Sequence, residues 1–367
     1  MSLRDKIKNF SETGGGTDLY DRYGVISNPF PSSNQTSDNP HYALGEADEL
    51  AESQIATFIR DNKSQAVVVE GTQGVGKTNF LNYFEAEITD VSRDLQGYYV
   101  VRYLADPEAT FDGTIRRLLQ ELGPDHLREI GKKIGDNESH VDSVRSQDVR
   151  TALYKLAKSE NDISELMMEW LLGFRLLKAH KETLGVQFRL DTVESKTAAL
   201  RDIVEVSMSA GILSGIFLLL DELEKQDGVL GPRAVVRYLS AIRAIIDALP
   251  KGLFLMIAVT PDALRRYSLA LPALRSRLQN RIELSPLKSV EDASAIAHFY
   301  IASARNAAKS SRGVGGGECE ILTTQQIEHC YYQLSEPARS RGDDGVRQRE
   351  FLHELYMLAE QAMSSSD

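Results

Sequence analysis

Cysteine and clusters of metal-binding side chains are scarce in this sequence. Only two cysteines occur among 367 residues, Cys319 and Cys330, with ten residues between them. No CxxC motif and no Cys/His cluster is present, so a structural zinc site or a disulfide framework has little support. We expect both thiols to be reduced in an intracellular protein.

Long hydrophobic runs are absent as well. No stretch of about 18 consecutive apolar residues occurs, and the first residues, MSLRDKIKNFSETGGGTD, lack the apolar core of a signal peptide. We therefore expect a soluble, cytoplasmic protein with no membrane partner.

The chain also has no excess of basic residues. Its net charge is −11 and its isoelectric point is about 5.3. A nucleic acid would therefore have to contact a local basic patch and not the surface as a whole. Hydrophobic residues make up 42% of the chain and charged residues 26%, which supports a buried core in one large domain or in two to three smaller ones.

The pattern of residues divides the chain into three regions. Residues 1–45 are rich in Ser, Asn, Gly and Pro, which predicts an extended arm. Residues 46–285 alternate helical periodicity with the apolar runs QAVVVEG, GYYVVRYL, GIFLLLDELE and LFLMIAVT, which predict buried strands. Such alternation is typical of an α/β domain whose parallel sheet is covered by helices on both faces. Residues 286–367 show helical periodicity again.

The stretch EGTQGVGKTNF contains the pattern of a phosphate-binding loop. Gly71, Gly76, Lys77 and Thr78 fit GxxxxGK[ST], with a predicted strand before the loop and a helix after it. The glycines let backbone N–H groups point at phosphate oxygens, the Lys reaches the β- and γ-phosphates, and the Thr hydroxyl coordinates Mg²⁺. The residues predicted to bind the nucleotide here are Gly71, Thr72, Gln73, Gly74, Val75, Gly76, Lys77, Thr78 and Asn79.

A second candidate element is the apolar run FLLL, which ends in two carboxylates, Asp221 and Glu222. The carboxyl ends of the strands are where open α/β sheets bind ligands. We expect Asp221 to hold Mg²⁺ through water and Glu222 to polarise the water that attacks the γ-phosphate. An ordinary strand end with two solvated acids is the alternative. The adjacent Glu and the lack of an NKxD motif argue against a small GTPase.

Three further segments carry candidate site residues. Thr260 follows a strand-like run and would place a hydroxyl between the carboxylates and the γ-phosphate. The segment LPALRSRLQNRIEL carries Arg275, Arg277 and Arg281, and an arginine supplied across a subunit boundary can stabilise the transferring phosphoryl group. A solvated basic helix end is the alternative for these arginines. Arg347 precedes an amphipathic helix, from which it could fold back onto the nucleotide.

The order of these motifs resembles that of AAA+ ATPases. GxxxxGKT, the apolar run ending in DE, the strand followed by Thr, the segment ALRSR and the segment GVR correspond to Walker A, Walker B, sensor 1, arginine finger and sensor 2 of that family. The similarity is greatest to initiator-type and transposition-regulator ATPases and to ATP-binding proteins of bacterial phage-defence systems. It implies that Lys77, Thr78, Asp221 and Glu222 carry out ATP hydrolysis with Mg²⁺.

The same resemblance implies roles for the remaining candidates. Thr260 would be sensor 1, Arg277 the arginine finger and Arg347 the sensor 2 residue that contacts ATP. Residues 286–367 would form an α-helical lid, and the segment Tyr23 to Phe30 is similar to the linker that lies beside the adenine in that family.

One feature departs from the family pattern. Lys77 and Asp221 are 144 residues apart, which is more than two strands and a helix require. We therefore predict a helical insertion at about residues 127–210. STAND-type signalling ATPases also place helical modules around a P-loop core, so the insertion leaves the subgroup open.

The resemblance implies a function as a molecular switch or motor. The protein would form a homo-oligomeric ring or filament, assemble on double-stranded DNA, and recruit or regulate a protein partner in transposition, replication or phage defence. Arg233 and Arg237 are one helical turn apart and could face a central channel, although an exposed basic helix face explains them equally well. A STAND-like or remodelling ATPase that acts on a protein partner without DNA is the alternative function.

Overall fold

The computed structural model describes residues 20–32, 39–43, 45–104, 111–225, 232–312 and 319–364. Within these ranges the chain forms two compact units. The sheet unit contains Gly45–Glu70 and Leu81–Glu283. The helical unit contains the described parts of Met1–Leu44, Gly71–Phe80 and Leu284–Asp367. The domain boundaries predicted from the sequence stay a prediction.

Up to residue 283 the described chain contains five strands that are separated from one another by one or more helices. In chain order the elements are α1 (Glu46–Asp61), β1 (Gln65–Glu70), α2 (Lys77–Asp94), β2 (Tyr98–Leu104), α3 (Phe111–Asp136), α4 (Gln147–Lys158), α5 (Ser164–Leu171), α6 (Lys178–Leu184), α7 (Val193–Ser209), β3 (Gly215–Asp221), α8 (Pro232–Ala248), β4 (Leu253–Val259), α9 (Pro261–Ala270), α10 (Pro272–Arg275) and β5 (Asn280–Glu283).

The five strands form one parallel sheet in the order β2-β3-β4-β1-β5. Every residue of β3 and β4 is buried, because helices cover both faces and leave no face for polar side chains. On one face Phe58 of α1 packs edge-to-face on Phe217, with ring centroids 5.1 Å apart. On the other face Leu218 and Leu255 belong to a large core that includes Leu200 of α7. The predicted α/β fold with a parallel sheet is confirmed.

The predicted insertion shares its hydrophobic core with the sheet. Helix α3 is broken at Gly123, whose φ is 76°, immediately before Pro124. Helix α7 begins with a capping box formed by Thr192 and Ser195. Buried side chains from this stretch belong to the same core as Leu218, among them Leu127, Leu153, Trp170 and Leu200. The insertion therefore packs on the sheet and is not built around a core of its own.

The helical unit contains three long helices, α11 (Val290–Arg312), α12 (Thr324–Ser340) and α13 (Gln348–Ser364). Their apolar faces form a second core with Ile327 and Phe351 at its centre. The thiols of Cys319 and Cys330 form no disulfide in the described chain. None of the helices among the described residues has the length and hydropathy needed to cross a membrane.

The N-terminal arm is part of the core of the helical unit. Tyr23, Val25 and Phe30 are buried in it, and the ring of Phe30 stacks on that of Tyr300 at a centroid distance of 6.4 Å. The side-chain amide of Asn28 donates hydrogen bonds to the carbonyl of Tyr356 at 3.0 Å and to Glu360 at 2.9 Å. Residues 1–19, 33–38 and 44 of the predicted arm lie outside the described residues.

Candidate nucleotide-binding site

The phosphate loop begins where β1 ends, and its shape depends on glycine. Gly74 and Gly76 have φ values of 85° and 101°, a region that residues with a Cβ rarely adopt. A Cβ on Gly76 would lie 2.5 Å from Oε1 of Gln348. A Cβ on Gly71 would lie 2.6 Å from a methyl carbon of Val75, which is itself buried. Glycine is therefore required at these positions, because neighbouring side chains occupy the space that a Cβ would fill.

Lys77 is the first residue of α2, and its side chain folds back onto the start of the phosphate loop. It is buried, and its Nζ donates to the carbonyl oxygens of Gly71 at 2.8 Å and Thr72 at 3.2 Å. The side chains of Thr72 and Gln73 are exposed. A lysine ammonium beside the N-terminus of a helix and beside backbone N–H groups attracts phosphate. The loop thus fits the triphosphate of a nucleotide.

Asn79 and Phe80 attach the loop to the N-terminal arm. The side-chain amide of Asn79 donates to the carbonyl of Pro40 at 3.3 Å. The rings of Phe80 and His41 pack edge-to-face at 5.9 Å. Thr78 is half-buried. Residues 40 and 41 of the N-terminal arm therefore contact the start of α2 within the helical unit, while a position of Tyr23 to Phe30 beside the adenine stays a prediction.

The predicted sensor 2 segment also contacts the phosphate loop. The backbone N–H of Arg349 donates to the carbonyl of Gly74 at 2.9 Å. The Cβ of Arg347 lies 3.7 Å from the position that a Cβ on Gly74 would occupy. Nε of Arg347 is buried and has no hydrogen-bond partner among the described residues. The fold therefore brings Arg347 to the loop, as the resemblance implied, although its contact with a nucleotide stays a prediction.

Two arginines and two carboxylates form a network of ion pairs around Arg347. Arg347 contacts Asp343 at 3.1 Å and Glu350 at 3.6 Å, and Arg341 contacts the same two carboxylates at 3.1 and 2.6 Å. Burial by itself raises the pKa of Asp343, but the hydrogen bonds from Arg347 and Arg341 outweigh that effect and lower the pKa below its usual value. The carboxylate of Asp343 therefore stays charged and fixes both guanidinium groups.

Asp221 lies at the carboxyl end of β3, and both of its carboxylate oxygens accept hydrogen bonds. Its side chain is 1% exposed, Oδ1 accepts the backbone N–H of Glu222 at 2.9 Å, and Oδ2 accepts Nη2 of Arg102 at 2.7 Å. Nη1 of Arg102 is buried without a hydrogen-bond partner in the described part of the chain. Arg102 was not predicted from the sequence, although a single arginine inside the apolar run GYYVVRYL was the signal that could have found it.

Glu222 adopts an unusual backbone conformation. Its φ is 53°, and Asn62 is the other residue with a Cβ for which the described chain shows a positive φ. Residues other than glycine pay a steric penalty in this region, and such strain concentrates at functional sites. The side chain of Glu222 is half-buried.

The order of the strands brings Thr260 to the same edge of the sheet. Strand β4 lies between β1 and β3, and Val259 is paired with Glu70. Parallel strands end at one edge, so Thr260 emerges between the strand that leads into the phosphate loop and the strand that ends in Asp221. Thr260 is half-buried and precedes α9 without a side-chain capping hydrogen bond.

The candidate arginine finger lies on the surface of the sheet unit. Nε of Arg277 contacts Oδ1 of Asp247 at 2.9 Å, and 43% of its side chain is exposed. Arg275 is exposed, whereas Arg281 is paired with Glu70 across the neighbouring strands β5 and β1 at 3.3 Å. A trans role for Arg277 stays a prediction. Arg233 and Arg237 belong to α8, but their side chains lie outside the described part.

The residues predicted to hold Mg²⁺ have suitable donor chemistry. The described chain contains no group of three or more His, Cys, Asp or Glu side chains that could form a metal cage. Magnesium bound to a nucleotide typically uses one or two protein oxygens together with phosphate oxygens and water. The hydroxyl of Thr78 and the carboxylate of Asp221 are oxygen donors of this kind, and their binding of Mg²⁺ stays a prediction.

Part of the chain is similar to a family of ATP-binding proteins. Residues 124–295 match the model of the family described as BREX system ATP-binding protein BrxC/D. The match covers the helical insertion, Asp221, Glu222 and Thr260, and it begins after the phosphate loop. No curated protein matches the chain.

Three solved structures are similar to the chain at low sequence identity and with TM-scores below 0.5. The ORC2 protein of Aeropyrum pernix in its ADPNP–ADP complexes has 10% identity, with 89% of this chain and 72% of that chain covered and a TM-score of 0.44. Its ADP form has 12% identity, coverages of 91% and 73%, and a TM-score of 0.41. The Walker-type ATPase of Pyrococcus abyssi has 12% identity, coverages of 90% and 73%, and a TM-score of 0.42. Over residues 124–295 the chain is similar to the BREX system ATP-binding proteins BrxC/D, and the predicted resemblance to ATP-binding proteins of bacterial phage defence is confirmed.

Proposed function

We propose that the protein binds ATP with Mg²⁺ at the phosphate loop and hydrolyses it. One observation carries this proposal: the phosphate loop and the carboxylate pair both follow strands of one parallel sheet, with β4 and Thr260 between them. In open α/β sheets this edge is the ligand-binding edge. The match to a family described as ATP-binding supports the choice of nucleotide.

Each residue of the proposed site has a separate role in ATP hydrolysis. Lys77 and the backbone N–H groups of the loop bind and orient the triphosphate, and Arg347 adds positive charge beside Gly74. Mg²⁺, held by Thr78 and through water by Asp221, would neutralise charge on the phosphate oxygens. The carboxylate of Glu222 accepts a proton from the attacking water, which the hydroxyl of Thr260 orients.

We further infer that subunits form a ring or filament in which Arg277 reaches the nucleotide of a neighbour. Exposure of Arg277 on the sheet unit supports this arrangement. The assembly would act on double-stranded DNA and regulate a protein partner in a defence, transposition or replication process. The resemblance to initiator-type and phage-defence ATPases supports the DNA step, and action on a protein without DNA is the alternative.

Two substitutions test the ATPase assignment. Lys77→Ala removes a charge that contacts the ground-state phosphates, so we expect loss of ATP binding. Glu222→Gln keeps the shape but removes the base, so binding should persist while turnover falls roughly 10²- to 10⁴-fold. Lys132→Ala, at an exposed position of α3, is the control. Calorimetry with an ATP analogue and a phosphate-release assay separate the two effects, and wild-type turnover in Glu222→Gln would refute the role of Glu222.

The DNA step needs its own measurement. Binding of duplex DNA should strengthen with a non-hydrolysable ATP analogue and weaken steeply with salt, since phosphate contacts release counterions. Duplex binding that is undetectable in both nucleotide states, together with normal ATP hydrolysis, would favour the protein-directed alternative.

A further inference from the structure

The helical insertion exposes a group of aromatic and cationic side chains between α5 and α7. This aromatic–cationic patch consists of Phe174, Arg175, Lys181, Phe188 and Arg189. Phe174 is 49% exposed and Phe188 is 72% exposed, although aromatic side chains of this size normally bury most of their surface. The patch lies wholly within the sheet unit.

The backbone that presents Phe188 is firmly held. The indole Nε1–H of Trp170, which is buried, donates to the carbonyl of Phe188 at 2.9 Å. The backbone N–H groups of Gln187 and Phe188 both donate to Oδ2 of Asp148, at 3.1 and 2.9 Å. The ring is therefore directed to solvent by an ordered segment, which lowers the entropy cost of binding a ligand there.

A second phenylalanine is held in the same way. Nε of Arg189 donates to the carbonyl of Gly173 at 2.9 Å and so ties the Phe188 segment to the turn that precedes Phe174. The guanidinium of Arg116 lies 5.8 Å from the centre of the Phe174 ring. The two aromatic rings are thus carried by segments that this hydrogen bond joins.

The local charge is opposite to that of the whole chain. Between Leu172 and Leu190 the sequence has four cationic side chains and one acidic side chain, in a protein of net charge −11. The acidic residue, Glu182, lies 3.9 Å from Lys178. Among the residues that the structure describes, Arg175, Lys181 and Arg189 form no ion pair, so their charge is available to an anion.

A cavity of about 210 Å³ opens inside this surface. Its lining combines ring faces with cationic groups, namely Trp170, Phe174, Arg175, Leu176, Lys181 and Arg189. Flat apolar surfaces interleaved with positive charge match one chemistry in particular, because unpaired bases stack on aromatic rings while the backbone phosphates contact Arg and Lys.

We propose that the aromatic–cationic patch is a binding site for single-stranded nucleic acid. Bases stack on Phe174 and Phe188, and phosphates contact Arg175, Lys181 and Arg189. A duplex keeps its bases stacked inside and would leave the two rings unused. An acidic protein segment would satisfy the cations but offers no planar group for the rings. This site goes beyond the proposed function and does not require ATP hydrolysis.

Anisotropy of labelled oligothymidylate and oligouridylate, titrated with the full chain, tests this site. We expect Phe188→Ala and Phe174→Ala each to weaken binding roughly 5- to 100-fold, the effect of losing one base–ring contact. Phe188→Trp should retain the affinity, since a ring remains. Arg175→Ala should lower the salt dependence by roughly one released ion. The two oligonucleotides decide between DNA and RNA as the strand bound.

Matched controls separate stacking from general effects. Leu269→Ala removes a similarly exposed apolar side chain from α9, where 74% of Leu269 is exposed, and should leave oligonucleotide binding unchanged. Thermal melting and ATP turnover of Phe188→Ala should equal those of the wild type, which distinguishes loss of this site from failure of the ATPase. Unchanged affinity in both Phe→Ala variants, no wild-type binding to either oligonucleotide, or equal binding of polyglutamate would overturn the proposal.

Discussion

Asp221 and Glu222 are neighbours in the chain but are held by different means. Asp221 is almost completely buried and accepts hydrogen bonds from Arg102 and from a backbone N–H, because a buried carboxylate without such partners would be too costly. Glu222 is half-buried and takes a left-handed backbone conformation. The carboxylate of Asp221 is therefore held by hydrogen bonds, whereas the backbone of Glu222 adopts a conformation that carries a steric penalty.

Substitutions at Glu222 should reveal this cost. At most positions Gly is less stabilising than Ala, because Gly loses more backbone entropy on folding. At Glu222 we expect the reverse, with Glu222→Gly more stable than Glu222→Ala by roughly 1 kcal/mol, since only Gly adopts a φ of this sign without a steric penalty. Urea unfolding of the two variants measures the difference.

Both variants lack the carboxylate, so both should lose ATP turnover in the phosphate-release assay. Equal stability of the two variants, or greater stability of Glu222→Ala, would show that the backbone at this position carries no strain. Loss of turnover together with the reversed order of stability would tie the strained conformation to the catalytic residue.

At the scale of secondary-structure elements, a buried histidine links the insertion to the sheet. His126 on α3 contacts the hydroxyl of Tyr99 on β2 at 2.9 Å and the hydroxyl of Ser207 on α7 at 2.8 Å. Ser207 donates its own proton to the carbonyl of Ile203 at 2.6 Å, so it accepts from Nε2–H of His126. Nδ1 of the neutral ring then accepts from Tyr99.

This link should make the stability of the protein depend on pH. Burial lowers the pKa of His126 to about 4, whereas the unfolded chain binds the same proton near 6.5. The neutral ring therefore contributes its full stabilisation above pH 6.5. As the pH falls from about 6.5 to 4, the unfolded state gains a proton that the folded state does not bind, and the free energy of unfolding decreases by on the order of 3 kcal/mol.

Urea unfolding of wild type and His126→Gln across this pH range measures the effect. Gln can accept from Tyr99 and donate to Ser207 but does not titrate, so the variant should lose this part of the pH dependence. His180→Gln, at an exposed position of α6, is the control and should keep the wild-type profile. If the free energy of unfolding of His126→Gln changed with pH as steeply as that of the wild type, His126 would not be the source of the pH dependence.

At the scale of the whole molecule, the proposed activity requires more than one subunit. Arg277 is held on the outside of the sheet unit by Asp247 of α8, which also pairs with Arg243. An arginine at such a position can complete the site of a neighbouring subunit, as arginine fingers do. We therefore expect the proposed ATPase to be active only when it assembles.

Mixing of variants tests the trans role of Arg277. Arg277→Ala should bind ATP nearly normally but hydrolyse it on the order of 10³-fold more slowly. Lys77→Ala has an intact Arg277 and a defective phosphate loop. An equimolar mixture of the two should regain part of the wild-type activity, because an intact loop and an intact arginine can meet at a mixed interface.

Arg275→Ala is the matched control for Arg277→Ala, since Arg275 is exposed in the same segment, and it should retain activity. Specific activity of the wild type should also rise with protein concentration. Activity that is independent of concentration, combined with no recovery in the mixture, would show a self-contained switch instead of a ring or filament.

The local pattern of residues was sufficient to predict the sheet and the motifs at its edge. Apolar runs such as GIFLLLD and LFLMIAV contain no polar residue before their ends, so they have to be buried on both faces wherever they lie. The glycines around Lys77 and the carboxylates after β3 follow strands directly, so their positions depend only on neighbours in the chain. For this reason the α/β fold was predicted correctly, whereas the binding of phosphate by the loop stays a prediction.

The contacts between distant parts of the chain were decided by the tertiary structure alone. Arg102 pairs with Asp221 across 119 positions, and Phe30 of the arm stacks on Tyr300. The sequence shows that a residue is apolar but not whether a neighbouring element covers it. It therefore does not distinguish Phe30, which is buried, from Phe188, which is exposed. Whether each ring is covered depends on which helices pack together, and that is a property of the folded chain.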